Sequence, residues 1–503
     1  MRSLRPDEGA RLLACSVALL LALPLLAWLD APVHRPQDEG LLLVYPELII
    51  RGLLPHRDFL ASYPPGNFFV LAAAYQLFEP SVGVERLVGF GYRVALILGL
   101  VLLGARCTGG SALIGGACGV IAALLLHPLR LEAFSWVGGL ALLVWAVLAL
   151  VNERRFSAGL LIGAALSFRL DLVFAAGLVV TGARFHSTDS CPLSRSSWFY
   201  AGLAIALVPL GVFLVVVVSP QLAAQDLLVG PVFETGPARR LPLESLGTNS
   251  SRLLLLVAIA TGVALTGALR ARNDEDRVFP FVVAALSIGL LPQALQRLDA
   301  DHLLYAGCVS ASLLPVAFTY CFQRSPSRGP VLFATALVIV ATVAGPAGEL
   351  LIGSIQHLLD PPVSVWINRD DRRLPARSQH ELEAFSALGA RLDAESTAGE
   401  RVFIGPADLS RTNYGDLHLY HLFPDLIPAS YFLEFNPESA NRSGSRLAAD
   451  LETAEWLLLS SEWDNWEESN GSSQPGDSRP NAVVRRSFHP VAQYGVWQLH
   501  RRK

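Results

Sequence analysis

The stretch LLACSVALLLALPLLAWL, residues 12–29, decides the fold class. It carries no charge, it follows Arg2, Arg5 and Arg11, and coiled as an α-helix it is long enough to cross the hydrocarbon core of a bilayer. With no small-residue cleavage site before Asp30, it reads as an uncleaved first span entered from a cytoplasmic N-terminus. Working outward, the same signature returns at residues 87–104, 112–126, 134–151, 199–218, 253–269, 278–295, 303–322 and 331–345, with a broken pair across 157–183. These runs make about eleven crossings. Of the 503 residues 52% are hydrophobic and 16% charged, a composition that needs lipid as solvent. A polytopic α-helical membrane protein is the expected class.

Loop charge sets the expected orientation. Two further apolar segments, 41–54 and 67–78, are too interrupted or too short to span and read as interfacial helices in the first external loop. The inner loops then hold Arg106, Arg154, Arg155, Arg184, Arg195, Arg270, Arg272, Arg277, Arg324 and Arg328. Counting 67–78 as a span would place these arginines outside, against the positive-inside bias. The odd number of crossings leaves the tail outside, so the expected division is a transmembrane domain over 1–350 and an extracytoplasmic mixed α/β domain over 351–503. In the tail, Leu382, Phe385, Leu388 and Leu392 have helical spacing within 381–394, and residues 402–404, 456–459 and 496–499 read as strands. Residues 469–479, SNGSSQPGDSR, read as a flexible loop.

Composition also narrows function. From Leu351 onward the chain is net acidic and before it net basic, which disfavours nucleic-acid binding. The six cysteines show no metal-binding spacing, and the tail has none. Lys503 is the only lysine among 39 basic residues, a bias of GC-rich bacterial genomes, and with the many spans a bacterial plasma membrane is the expected location.

In this topology five ionisable clusters face the external side: Asp38 with Glu39; His56, Arg57 and Asp58; Arg86 with Arg93; Arg169 with Asp171; and Arg297, Asp299, Asp301 and His302. A charge at membrane depth costs at least about 2.5 kcal/mol on insertion scales, so residues placed there are functional candidates unless they reach the interface. Arg169 and Asp171 interrupt residues 156–180, FSAGLLIGAALSFRLDLVFAAGLVV, where they either satisfy a helix break as an ion pair or line a polar cavity. Arg93, about two turns inside its span, either snorkels or serves a site. In the tail, Trp463, Asp464, Trp466, Glu467 and Glu468 combine aromatic faces with acids, as carbohydrate sites do and as the rim of a folded domain also can.

The motif QDEG at residues 37–40 and the phrase GLLPHRDFLASYPPGNFFVLAAAYQLF at 52–78 resemble the first external loop of the GT-C membrane glycosyltransferases, with His56 where tyrosine is commoner. This superfamily includes protein O-mannosyltransferases, lipid A aminoarabinose transferases and lipopolysaccharide-core transferases. The phrase LPQALQRLDADHLLYAG at 291–307 is similar to an Arg-x-Asp-x-x-His pattern of some bacterial members. The resemblance implies a GT-C-like membrane domain with interfacial helices in its first loop and an external soluble domain. It further implies a polyprenyl-phosphate sugar donor and a cell-envelope glycan, lipid or protein acceptor. By resemblance, Asp38 is the base, Glu39 its orienter or a metal ligand, and the anomeric carbon inverts. Arg57, Arg169, Arg297 and His302 are donor-phosphate ligands, because guanidinium binds phosphate bidentately. Asp58, Asp171 and Asp299 orient them. A hard divalent cation is a further candidate occupant of the external acids, and metal dependence stays open. The rival readings are a transporter or flippase of a lipid-linked saccharide and a non-catalytic envelope assembly protein. The transporter reading expects polar residues on both sides of the midplane, whereas here they collect on one.

Overall fold

The computed structural model describes residues 6–185, 197–271, 274–323, 327–361, 365–369 and 371–503. Arg195, Arg272 and Arg324, assigned above to inner loops, lie outside the described residues, as does Cys191. The chain packs as two compact units: Met1–Trp28, Gly89–Gly211 and Leu246–Pro361 form one, and Leu29–Val88, Val212–Ser245 and Pro362–Lys503 the other.

The apolar runs become helices because a helix satisfies its own backbone amides within one segment, as lipid requires. Among the described residues six are long and apolar enough to cross a membrane: Glu8–Trp28, Val82–Cys107, Ala112–Leu129, Ser197–Val218, Thr248–Arg270 and Val278–Gln296. Two bent pairs, Ala300–Ser312 with Leu314–Cys321 and Gly329–Val343 with Pro346–Leu359, raise this to eight if each is one span. Prolines explain the bends: Pro315 and Pro346 each sit in the first turn of the second helix, where the missing N–H costs nothing. Three shorter apolar helices, Ser135–Val151, Arg155–Phe168 and Leu170–Gly182, lie in the other segments that hydropathy marks. The chain is a multi-pass membrane protein.

Close helix contact in the first unit rests on small residues. A Cβ on Gly159 would lie 2.0 Å from the Phe199 carbonyl oxygen, and one on Gly202 would lie 2.1 Å from that of Phe156. The two glycines thus let the helices Arg155–Phe168 and Ser197–Val212 touch backbone to backbone. Large apolar side chains such as Leu269, Phe333 and Val340 point outward, as lipid contact requires.

The second unit opens with helices Asp38–Ile50 and Gly66–Phe78, the segments read as interfacial. Residues 212–245, which the sequence reading leaves unassigned after 218, form short helices that include a π-helical segment, Gln225–Glu234. The tail is mixed α/β, as expected. Strands β1 (Val365–Arg369) and β2 (Arg372–Ala376) form an antiparallel hairpin. A five-stranded sheet combines β3 (Arg401–Pro406), β4 (Ile427–Pro428), β5 (Trp456–Ser460), β6 (Phe488–Tyr494) and β7 (Trp497–Arg502) in the order β4-β3-β5-β7-β6. β3 is parallel to β4 and β5, and β7 is antiparallel to β5 and β6. Helix Gln379–Glu395 begins two residues before its apolar periodicity because Ser378 caps it, accepting the Glu381 N–H at 3.1 Å.

The loop 469–479 is tied down by hydrogen bonds. Asn470 accepts the Ser472 N–H at 2.9 Å and donates to the Arg239 carbonyl at 3.3 Å, while Asn413 donates to the Ser472 carbonyl at 2.8 Å. The same short polar residues that read as disorder here bond to nearby backbone.

Candidate active site

In the second unit each residue of the QDEG motif has a distinct role. Gln37 clamps its side-chain amide on the Phe435 backbone, donating to the carbonyl at 2.7 Å and accepting the N–H at 3.0 Å. Asp38, in the first turn of helix Asp38–Ile50, accepts the Tyr414 hydroxyl at 3.1 Å, and its charge also complements the helix N-terminus. Glu39 is fully buried and bound by Arg86, whose Nε and Nη2 both lie 2.7 Å from Oε1. Arg86 also donates to the Leu29 and Ala31 carbonyls, which ties the start of the loop to this carboxylate. Gly40 lets the tail approach: a Cβ there would lie 2.5 Å from the His418 nitrogen.

The sequence reading missed two residues of this unit, Tyr414, which binds Asp38, and Glu434, which feels its charge. Burial, and then the charge of Asp38, push the Tyr414 hydroxyl well above its ordinary range, so it stays a protonated donor. Glu434 is buried, and its carboxyl is pushed up first by burial and further by the charge of Asp38, against Arg239 and Asn436. No local pattern marks Tyr414 or Glu434, which lie more than 370 residues from Asp38 along the chain.

The HRD phrase is a tight turn in the same unit. Asp58 accepts the Leu54 N–H at 2.7 Å, and His56 takes a left-handed φ of 67°, unusual for a side chain with a Cβ. His56 is buried, with Nδ1 3.2 Å from Asp226 Oδ2, and Tyr431 donates to the same carboxylate oxygen at 2.5 Å. This leaves Arg57 half-exposed at the tip, held by Asp58 at 2.7 Å. Sequence spacing could not foresee that His56 pairs with Asp226 in the π-helical segment.

The first unit holds the remaining candidates. Helix Arg155–Phe168 stops at Arg169, whose extended backbone turns the chain, and Arg169 binds Asp171 bidentately at 3.0 and 2.9 Å. Gln293, with its amide oriented to satisfy both ends, donates to Asp171 at 2.7 Å and accepts from Arg169 at 2.9 Å. It is a polar residue inside an apolar span, a signal that could have found it. Its helix, Leu291–Gln296, ends at Arg297, which bonds Asp299 at 2.5 Å. Asp299 also caps the next helix, accepting the His302 N–H and contacting its Nδ1, each at 2.8 Å. Burial opposes ionisation of Asp299, yet the His302 hydrogen bond and charge and the Arg297 guanidinium outweigh it and hold the carboxyl well below its usual range. Arg93 does not snorkel. It is fully buried and donates to the carbonyls of Gly89, Leu129, Leu131 and Glu132, satisfying a helix break. Among the described residues no group of three or more His, Cys, Asp or Glu side chains is arranged to hold a metal ion.

No protein-family model matches the chain, and no curated protein matches it. Solved structures do. The structure of ArnT from Cupriavidus metallidurans bound to undecaprenyl phosphate superposes with a TM-score of 0.57 at 13% identity, covering 98% of both chains. The apo state of the same protein gives 0.54 at 13% identity, over 98% of this chain and 97% of that one. The arabinofuranosyltransferase AftD from Mycobacteria gives 0.51 at 14% identity over 98% of this chain, which spans 39% of AftD. With the membrane helices, the first-loop helices and the α/β tail all within these alignments, the chain has the fold of the GT-C membrane glycosyltransferases.

Proposed function

We propose that the chain is a glycosyltransferase that moves a sugar from a polyprenyl-phosphate donor to a hydroxyl of a cell-envelope acceptor on the external face of a bacterial plasma membrane. The observation that carries this reading is the environment of Asp38, a carboxylate at a helix N-terminus held by a phenol that stays protonated, in a chain with the GT-C fold over its whole length. The ArnT neighbour was solved with undecaprenyl phosphate, which supports a lipid phosphate as the leaving group.

In this mechanism the acceptor hydroxyl gives its proton to Asp38 as its oxygen attacks the anomeric carbon. The bond from that carbon to the phosphate oxygen breaks, the electron pair leaves with the polyprenyl phosphate, and the configuration inverts. Arg57, Arg169, Arg297 and His302 stabilise the departing phosphate, with Asp58, Asp171 and Asp299 fixing their geometry. Glu39 acts through Arg86 as the positioning group of the motif. The donor role is tested by undecaprenyl phosphate binding to the purified protein. Arg169→Ala and Arg297→Ala should each weaken it tenfold or more, and wild-type affinity in both would remove these clusters from the donor site.

A further inference from the structure

The tail holds five tryptophans. Trp456 and Trp497 are buried in the sheet, and Trp366 lies on the hairpin strand β1. Trp463 and Trp466 follow β5 in a short turn and stay half-buried, outside the core. The Tyr414 ring lies against both, 4.7 Å from Trp463 in an edge contact and 5.7 Å from Trp466 in a stacked one. Through its hydroxyl the same tyrosine holds Asp38. A partly exposed aromatic cluster is thus one hydrogen bond from the carboxylate assigned above as the base.

Hydrogen bonds pin the cluster. Asn413 donates to the carbonyls of Trp466 and Ser472 at 3.1 and 2.8 Å, and the Trp466 N–H returns to the Trp463 carbonyl at 3.1 Å. Its rim is acidic and pinned: Glu462 pairs with Arg377, Glu467 with Arg411, and Asp464 accepts the Asp408 N–H at 3.1 Å. Fixed indole faces bordered by oriented carboxylates suit one chemistry, a pyranose whose C–H face packs on the ring while its hydroxyls or amino groups donate to the rim. With its rim acids matched by Arg377 and Arg411 and the tail as a whole net acidic, the cluster suits a neutral or amino-sugar ligand better than a phosphate-rich chain.

We propose that Tyr414, Trp463 and Trp466 form a saccharide-binding subsite for the acceptor, a neutral or amino-sugar glycan whose ring stacks on the indoles and whose reacting hydroxyl is delivered to Asp38. The assignment of an acceptor rests on the transferase reading. The binding of a glycan does not.

The test uses the full chain in lipid nanodiscs and, as probe, the water-soluble glycan fraction released from envelopes of cells that lack the protein. Saturation transfer from protein to sugar ring protons reports binding, and undecaprenyl phosphate binding is measured in parallel. The wild type should bind the glycan, Trp466→Ala should raise its half-saturation at least tenfold, and Trp466→Phe, which keeps a stacking face, should stay within about threefold. No glycan binding by the wild type, or equal binding by Trp466→Ala, overturns the subsite. Glycan binding that depends on Trp466, without any undecaprenyl phosphate binding by the wild type, supports the subsite and overturns the transferase reading instead.

Discussion

Asp416 and His418, two residues apart in the turn that meets the QDEG helix, are both buried and resist charge in opposite senses. Burial is the main cause for each: it pushes the Asp416 carboxyl up to about 6 from 3.8, against the Trp497 bond, and the His418 imidazole down to about 3 from 6.5. Asp416 binds more protons folded than unfolded, so its contribution to stability is lost as pH rises from about 4 to about 6. His418 binds fewer, so its contribution is lost as pH falls from about 6.5 toward about 3. The two slopes nearly cancel between pH 7 and pH 4 in the wild type. Asp416→Asn removes one of them and should uncover a loss of about 3 kcal/mol over that range. Amide exchange in strands β3 and β5 measures it, and a variant as flat as the wild type would contradict the assignment. At the same scale, Tyr414→Phe keeps the ring and removes the donor to Asp38, and should lower the rate of transfer about tenfold at a cost to stability of about 1 to 3 kcal/mol. Asp38 and Glu39 were singled out as candidates because their motif is local. Tyr414, Glu434 and Asp226 were not, because their relevance comes from contacts that span hundreds of residues or an unassigned loop.

The element that organises the second unit is helix Asp38–Ile50. Gly40 faces the turn Leu417–Leu422, and a Cβ at this position would lie 2.5 Å from the His418 nitrogen and 3.0 Å from Leu417. Backbone atoms cannot yield as a flexible side chain would, so Gly40→Ala should cost about 1 to 3 kcal/mol and speed amide exchange in 417–422. Farther along the helix, buried Glu47 pairs with His421 and, at 3.0 Å, with Arg372. Helix positions were readable from apolar runs, and strands β3, β5 and β7 from short apolar and aromatic runs, whereas β1, β2, β4 and β6 were not read. Residues 469–479 misled because Asn and Ser serve a flexible chain and a hydrogen-bonded turn equally well, and only the positions of Asn413 and Arg239 decide which. Arg93 misled for a related reason: the break between the runs 112–126 and 134–151 was readable, but not that its carbonyls at Leu129, Leu131 and Glu132 meet Arg93.

For the whole molecule, lipid as solvent explains why composition alone sufficed for the fold class: helices are the structure an apolar chain of this kind can adopt across a bilayer. Orientation is a separate matter and rests on the arginine bias. In a cysteine-free background, Asn465→Cys in the tail should react with a membrane-impermeant maleimide in intact cells, and Asn152→Cys only after permeabilisation. The reverse pattern would invert the topology. The central claim is that a carboxylate on the first external loop transfers a sugar. It is tested most directly by following labelled polyprenyl-phosphate sugars in membranes that hold equal amounts of wild type or Asp38→Asn. The account expects transfer to an envelope acceptor by the wild type and a loss of at least about 100-fold in the variant, and equal transfer by both would contradict it.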